Sequence, residues 1–328
     1  MEEKIRELVG AVFAPEQIES VKVFNGRAIV TLQNAVENPE VTGRLKSAIS
    51  EMDGIAKVSI VYTAPKANIG LKPENPKWEI KGVRKIIGVA SGKGGVGKTW
   101  FSVTLAHALS SLRQKTLLFD GDLGLANIDI QLGLMVKDDL GSVIAGAKTL
   151  NQIIHHCDKT HFDIIAGRSG SAGLASMPVG RLQILGEDLS LLASNYNKVI
   201  LDMGAGVEKP VRILSGMAEK IIVLCTDEPT SLTDAYAFIK IMAMQYPKCN
   251  LNVVINQANS IREGQRTYDT LLKACRNFLK ISPELLGIIR RDTRVRDSIR
   301  NQAPLISRYP TSEAAEDVIA IAGKLING

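Results

Sequence analysis

The feature that most constrains this chain is the glycine-rich stretch ASGKGGVGKTWFS at residues 90–102. Residues Gly92 through Thr99 fit the pattern G-x-x-x-x-G-K-S/T, between the apolar run KIIGVA and a segment with helical periodicity. Glycines let backbone N–H groups converge on phosphate oxygens, and the amino end of a helix attracts negative charge. The stretch therefore predicts a phosphate-binding loop between a buried strand and a helix over about 98–112.

The side chains of this loop fit the chemistry of a nucleoside triphosphate. Lys98 would contact the β- and γ-phosphates, and the Thr99 hydroxyl would bind Mg²⁺. A glycine turn that only joins a strand to a helix would need neither group. We expect the whole loop to bind the phosphates, namely Gly92, Lys93, Gly94, Gly95, Val96, Gly97, Lys98 and Thr99.

Three aspartates follow predicted strands and are candidates for the magnesium site. Asp120 and Asp122 end the run LLFDGD, and Asp202 ends the run VILD. Ligands of open α/β sheets bind beside the carboxyl ends of the strands, so these side chains should face the phosphate loop. Carboxylate oxygens are the ligands that Mg²⁺ accepts.

The rest of the chain predicts two domains. Residues 1–63 combine two helices, an alternating pair of strands joined by Asn25-Gly26, and a third strand, which indicates a small α+β domain. Residues 64–83 are rich in proline and lysine and predict a linker. From 84 to 328, short apolar strands alternate with helical segments, which is typical of an α/β domain with a mostly parallel sheet sandwiched by helices.

Composition and charge are typical of a soluble globular protein rather than of a membrane-spanning or secreted one. The 328 residues are 45% hydrophobic and 23% charged, as in ordinary soluble proteins, with a net charge of +6 that permits weak attraction to anionic partners. No apolar run approaches the ~18 residues that span a bilayer, and the charged amino terminus differs from a signal peptide. The four cysteines form no C-x-x-C pair. We therefore expect a cytoplasmic protein without a disulfide framework.

The sequence KGGVGKT resembles the deviant phosphate loop of the MinD/ParA class of P-loop ATPases. The segments DGDLGLANIDIQLGL and CTDEPTSLTDAYAFIKIM resemble the FlhG/FleN branch of that class. The resemblance implies a homodimer formed with ATP and Mg²⁺, in which Lys93 reaches the phosphates of the partner subunit. It also implies that Asp122 orients the attacking water, that Asp120 and Asp202 organise the metal site, and that Asn256 recognises adenine.

The same resemblance implies a slow, partner-stimulated ATPase switch that controls the position or number of a structure such as flagella. Trp100 stands where the class usually has a small or polar residue, so it would border the α-phosphate side of the pocket. The branch's basic C-terminal membrane helix is not recognisable, because the last helical segment mixes acidic and apolar residues.

Two alternative functions remain open at this level. The N-terminal domain is similar to that of Mrp-type proteins, which implies an ATP-dependent iron–sulfur cluster carrier, although such carriers use a C-x-x-C pair. The arginine-rich run at residues 290–300 is compatible with a partition ATPase that binds DNA nonspecifically, or with a solvated helix face whose arginines pair with acidic neighbours.

Overall fold

The computed structural model describes residues 2–24, 27–33, 38–55, 57–63, 86–122, 124–167 and 179–327. The chain divides into two compact units, Met1–Glu74 and Asn75–Gly328. This division falls within the predicted linker, which lies outside the described residues, as does the Asn25-Gly26 turn. The exact domain bounds therefore stay a prediction.

The N-terminal unit is a three-stranded sheet with two helices. Strands β1 (Ile18–Phe24) and β2 (Arg27–Gln33) are antiparallel, and β3 (Lys57–Thr63) runs parallel to β2. The helices are α1 (Glu2–Gly10) and α2 (Pro39–Ser50). Helix α1 ends at a glycine, which has low helix propensity.

A small apolar core holds this unit together. It contains side chains from both helices and from the first two strands, among them Ile5, Val9, Val30, Leu32 and Ile49, all fully buried. Burial of apolar surface on one face of a sheet is what stabilises a domain of this size.

The second unit contains an eight-stranded sheet in the order β11-β10-β9-β4-β8-β5-β7-β6. All paired strands are parallel except β6 and β7, which are antiparallel. The strands are β4 (Ile86–Ser91), β5 (Thr116–Gly121), β6 (His155–Cys157), β7 (Phe162–Ile165), β8 (Lys198–Ala205), β9 (Lys220–Cys225), β10 (Asn250–Ala258) and β11 (Glu284–Arg290).

Helices connect the strands and cover the sheet. They are α3 (Lys98–Ser111), α4 (Ile128–Leu132), α5 (Leu140–Ile144), α6 (Val179–Ala193), α7 (Lys209–Met217), α8 (Pro229–Gln245), α9 (Ile261–Ala274), α10 (Thr293–Arg300), α11 (Leu305–Arg308) and α12 (Glu313–Asn327). A π-helical turn, Cys275–Leu279, extends α9.

Two large apolar clusters, one on each side of the sheet, form the core of the second unit. Every residue of β4 and β5 is buried, as expected for central strands covered on both faces. The last helix, α12, packs against α3 and β11 and buries Val318, Ile321 and Leu325. None of the described helices has both the length and the apolarity that a membrane span requires.

The α/β fold with a mostly parallel sheet is confirmed, and each predicted apolar strand of this unit is present. The sequence interpretation missed β6, a three-residue edge strand with two histidines. A strand so short carries no alternation that could reveal it.

Candidate nucleotide site

The glycine-rich loop connects the carboxyl end of β4 to the amino end of α3. A Cβ added to Gly92 would lie 2.2 Å from the backbone of Asp234 on α8, so only glycine allows this approach. Gly97 has a φ of 91°, in the left-handed region, and a Cβ there would lie 2.8 Å from Nδ2 of Asn256. The loop is therefore shaped by glycine, as the motif predicts.

Lys98 lies within the loop and is only 9% exposed. Its Nζ donates to Oγ of Ser91 at 2.9 Å, and that hydroxyl donates to the carbonyl of Lys93 at 2.6 Å. Burial lowers the pKa of Lys98, and the charges of Asp202 and Asp122 oppose this effect. The ammonium is thus held among anionic groups, where the phosphates of a nucleotide would be additional partners.

Asp202 is a buried carboxylate that bonds two side chains near the start of α3. Its Oδ1 accepts from Oγ of Ser102 at 2.9 Å, and its side chain also bonds that of Thr99. Burial raises its pKa to about 6, against the stabilising effect of these two hydroxyls and of the Lys98 charge. Asp202 and Thr99 therefore lie together, as the predicted magnesium site requires.

Asp120 is the neighbour of Asp202 in the sheet, because the two residues pair between β5 and β8. Burial and the proximity of Asp202 raise the pKa of Asp120 to about 8. Its carboxylate accepts backbone N–H groups of Asp122, Asn127 and Ile128 at 3.1 to 3.3 Å. In this conformation Asp120 holds the segment that leads from β5 into α4.

Asp122 begins the segment that leads from β5 into α4, beside the carboxyl ends of the parallel strands. Its Oδ1 accepts the backbone N–H of Leu125 at 3.1 Å. A Cβ added to Gly204 would lie 3.4 Å from the same oxygen, so the segments after β5 and β8 approach each other here. Asp122 therefore lies where the segments after β5 and β8 meet.

Lys93 does not point into its own phosphate loop. Its Nζ lies 2.6 Å from Oε2 of Glu228 and 3.1 Å from Oγ1 of Thr230, at the start of α8. The hydrogen bond and charge of Lys93 lower the pKa of Glu228. The pair is partly solvated, with the Lys93 side chain 38% exposed and that of Glu228 60% exposed.

Asn256 and Trp100 lie beside the loop in supporting positions. Asn256 is 2% exposed; its Nδ2 donates to the carbonyl of Val96 at 2.8 Å, and its Oδ1 accepts the N–H of Gln257. Trp100 is 5% exposed, and its indole N–H has no hydrogen-bond partner among the described residues. In this structure Asn256 supports the loop, and its predicted contact with adenine stays a prediction.

The donor set fits a magnesium–nucleotide complex. The Thr99 hydroxyl and the Asp202 carboxylate are hard oxygen ligands, and Lys98 offers a buried cation next to them. A cavity of about 360 Å³ opens beside Thr99, between Asn127 and the turn after α10 that includes Gln302. When bound, Mg²⁺ neutralises charge on phosphate oxygens, and the chain's own task is to hold Thr99 and Asp202 in place.

The sequence matches a family over residues 87–305, more than half of the chain, and that family is described as the CobQ/CobB/MinD/ParA nucleotide binding domain. The chain belongs to this family. It is accordingly a P-loop ATPase, and ATP and Mg²⁺ are its cofactors.

Two curated relatives support the resemblance to the FlhG/FleN branch. The antiactivator FleN of Pseudomonas aeruginosa is 33% identical over 241 residues, which cover 74% of this chain and 86% of that protein. The flagellum site-determining protein YlxH of Helicobacter pylori is 29% identical, over 77% of this chain and 86% of that protein.

A solved structure supports the fold. The septum site-determining protein MinD of Pyrococcus horikoshii, in complex with Mg-ADP, superposes with a TM-score of 0.63 at 25% identity. The superposition covers 73% of this chain and 95% of that one.

Several residues of the site were not predicted from the sequence. Ser91 and Ser102 support Lys98 and Asp202, whereas Glu228 and Thr230 hold Lys93. In the sequence, the segment with Glu228 resembles the FlhG/FleN branch, but this resemblance does not predict a contact with Lys93. Serines in a strand and a helix carry no signal of their own, because only the fold brings them to these partners.

Proposed function

We propose that this protein is an ATP-dependent molecular switch that forms a homodimer around ATP and controls the position or number of flagella. The cellular role is suggested by similarity to YlxH, a flagellum site-determining protein, and to the antiactivator FleN, which belongs to the same branch by resemblance. We further propose that a protein partner stimulates a slow basal hydrolysis. The γ-phosphate would hold the segments around Asp122 and Gly204 in a shape that changes when it is released.

The observation that carries this proposal is the position of Lys93. A lysine of a phosphate loop that served only its own nucleotide would point into that loop, as Lys98 does. Lys93 instead lies against Glu228 and Thr230 at the loop's outer side. A second subunit's triphosphate is then a stronger partner for it than the solvated Glu228 carboxylate, because charge-assisted bonds to phosphate are strong.

In the proposed dimer each residue has a separate task. Lys98 would bind the phosphates of its own nucleotide, and Thr99 and Asp202 would hold the metal. Asp122 would orient the attacking water, and Lys93 would stabilise the charge that develops on the neighbouring subunit's γ-phosphate, as an arginine finger does. Hydrolysis then requires both subunits.

The first arginine of the run at residues 290–300 pairs with acidic neighbours of the same chain. Arg290 lies within 2.7 to 2.9 Å of Glu313 and Asp317 on α12, so it stabilises the packing of the last helix. This fits the interpretation of a solvated face with acidic neighbours.

The other alternative, an iron–sulfur cluster carrier, concerns metal binding. Within the described part of the chain, no group of three or more His, Cys, Asp or Glu residues could hold a metal ion.

The experiment compares the wild type with Lys93→Ala by sedimentation velocity in ATP, in ADP and without nucleotide, at one protein concentration. We expect a dimer only for the wild type with ATP, whereas nucleotide binding by Lys93→Ala, measured with a fluorescent ATP analogue, stays within a few-fold. A Lys93→Ala protein that dimerises with ATP as the wild type does would overturn the proposal.

A further inference from the structure

The end of the sheet opposite the nucleotide loop carries a surface that the proposed function does not use. The phosphate loop follows the carboxyl end of β4, whereas the connections after α8 and after α9 lead to the amino ends of β10 and β11. In a parallel sheet the carboxyl ends and the amino ends of the strands lie on opposite sides of the domain. We call this region the basal surface and define it by Met244, Phe278 and five cations, which are Lys240, Lys248, Lys273, Arg276 and Lys280.

Two large apolar side chains protrude from the basal surface. Phe278 is 75% exposed and lies in the π-helical turn that ends α9, and Met244 is 49% exposed near the end of α8. The two elements are in contact. A cavity of about 290 Å³ lies between the chain segments that follow them, lined by Pro247 and Cys249 on one side and by Ile281 and Pro283 on the other.

The backbone presents Phe278 to solvent rather than to the core. The π-helical turn places Cys275 in the core, fully buried, while the next three residues are exposed. Lys280 follows with a φ of 59°, which ends the helix and turns the chain back toward β11. An isolated π-turn at the end of a helix often marks a functional position.

The cations surround these apolar side chains and are exposed. Within the described part of the chain, none of the five has an ion pair with a carboxylate. Three acids are nearby: Glu284 lines the cavity, Asp269 lies one turn before Lys273 on α9, and Glu219 lies at the amino end of β9. The five cations outnumber them. An anionic partner is therefore favoured by charge.

We propose that the basal surface binds the headgroup region of a phospholipid bilayer that contains anionic lipids. Single apolar side chains flanked by long cations suit this partner, because Phe and Met can enter the boundary of the acyl chains while ammonium and guanidinium groups stay among the phosphates. Two separate protrusions are too small for the apolar core of a stable protein interface, which needs about 800 Å² on each side. Binding at this edge leaves the nucleotide edge free.

The test uses the full chain and vesicle flotation. Vesicles of phosphatidylcholine alone are compared with vesicles that contain about one third phosphatidylglycerol, at low and at high salt. We expect binding only to the anionic vesicles, weakened by salt because exposed charges are screened. Phe278→Ser should weaken binding about tenfold. Replacing Lys273, Arg276 and Lys280 together by Gln should weaken it by about fivefold for each charge.

Two further variants separate insertion from loss of folding. Ile261→Ser removes an apolar side chain that is 50% exposed at the start of α9, after the carboxyl end of β10 and so outside the basal surface, and should leave vesicle binding unchanged. Phe278→Trp should keep binding and show a blue shift of its emission, relative to the wild type, when anionic vesicles are added. ATP hydrolysis in solution should be the same for Phe278→Ser and the wild type.

Three results would overturn the proposal. One is equal binding to both kinds of vesicle; another is anionic-vesicle binding that Phe278→Ser leaves intact. The third is the absence of binding to anionic vesicles at low salt. If the protein instead binds duplex DNA through the same cations, the basal surface is a nucleic-acid surface. None of these outcomes depends on whether ATP dimerises the protein.

Discussion

The Lys93 ammonium lies 2.6 Å from the Glu228 carboxylate of the same chain, 135 residues away. This pair joins the phosphate loop to the amino end of α8. Lys93 cannot reach a neighbouring subunit without leaving Glu228, so the pair opposes the dimer that we propose. A solvated pair of this kind contributes little to stability, which leaves the switch easy to reverse.

We predict that Glu228→Gln favours the ATP-bound dimer. Loss of the carboxylate removes the competing partner of Lys93 in both subunits, so the dimer should form at a protein concentration that is lower by roughly several-fold. Sedimentation equilibrium with ATP measures this shift. Asp227→Asn removes the neighbouring exposed acid and serves as the control, which should dimerise like the wild type. A weaker dimer for Glu228→Gln would mean that Glu228 supports the interface instead of opposing it.

Ser102→Ala should weaken the magnesium-dependent part of nucleotide binding. The Ser102 hydroxyl donates to Asp202 at 2.9 Å, and its loss leaves a fully buried carboxylate with one donor fewer. We expect the free energy of unfolding to fall by about 1 to 3 kcal/mol. Titration of Mg²⁺ at fixed ADP measures the effect on affinity.

The control for that variant is Ser110→Ala on the same helix, whose hydroxyl bonds the carbonyl of His161 near the surface. It should change neither the free energy of unfolding nor the free energy of Mg²⁺ binding by more than a few tenths of a kcal/mol. Equal effects of the two substitutions would show that Ser102 acts only through the stability of α3.

His107 predicts a pH dependence of stability that does not involve the nucleotide site. Burial on α3, and secondarily the charge of His161, lowers its pKa from 6.5 to about 4. The unfolded chain then binds a proton at a pH where the folded protein does not, so the free energy of unfolding decreases as pH falls from 6.5 toward 4. Above pH 6.5 the contribution of His107 is complete.

The measurement for His107 is urea denaturation at several pH values across this window. His107→Gln should reduce the loss of unfolding free energy between pH 6.5 and 4, by up to roughly 3 kcal/mol. Above pH 6.5 the variant and the wild type should show the same pH dependence, which serves as the control. An unchanged slope for His107→Gln would remove this residue from the acid sensitivity of the protein.

Asp122→Ala should slow hydrolysis while ATP binding and dimerisation persist. The carboxylate lies at the point where the segments after β5 and β8 meet, which is where we propose that it orients the attacking water. Turnover should fall at least tenfold, because removal of a positioned proton acceptor typically costs that much or more. Phosphate release and sedimentation with ATP are measured together, and unaltered turnover would exclude Asp122 from the reaction.

The sequence predicts the parts of this site that follow from local rules. Gly92 to Thr99 between a strand and a helix predicts the loop, and the apolar runs predict the sheet and place Asp120 and Asp202 at its edge. Periodicity does not report which side chains meet across the fold. The bonds from Ser102 to Asp202 and from Lys93 to Glu228 join residues 100 and 135 positions apart.

The most direct test of the proposed dimer mixes two slow variants. In a Lys93→Ala and Asp122→Ala heterodimer, a lysine that acts across the interface supplies one complete site, with Asp122 from one chain and Lys93 from the other. We predict that ATP hydrolysis, at least tenfold slower than the wild type in each variant alone, rises on mixing to a measurable fraction of the wild-type rate. If Lys93 serves the nucleotide of its own chain, neither site is complete, and a mixture that forms heterodimers with ATP but stays as slow as its components would contradict the account.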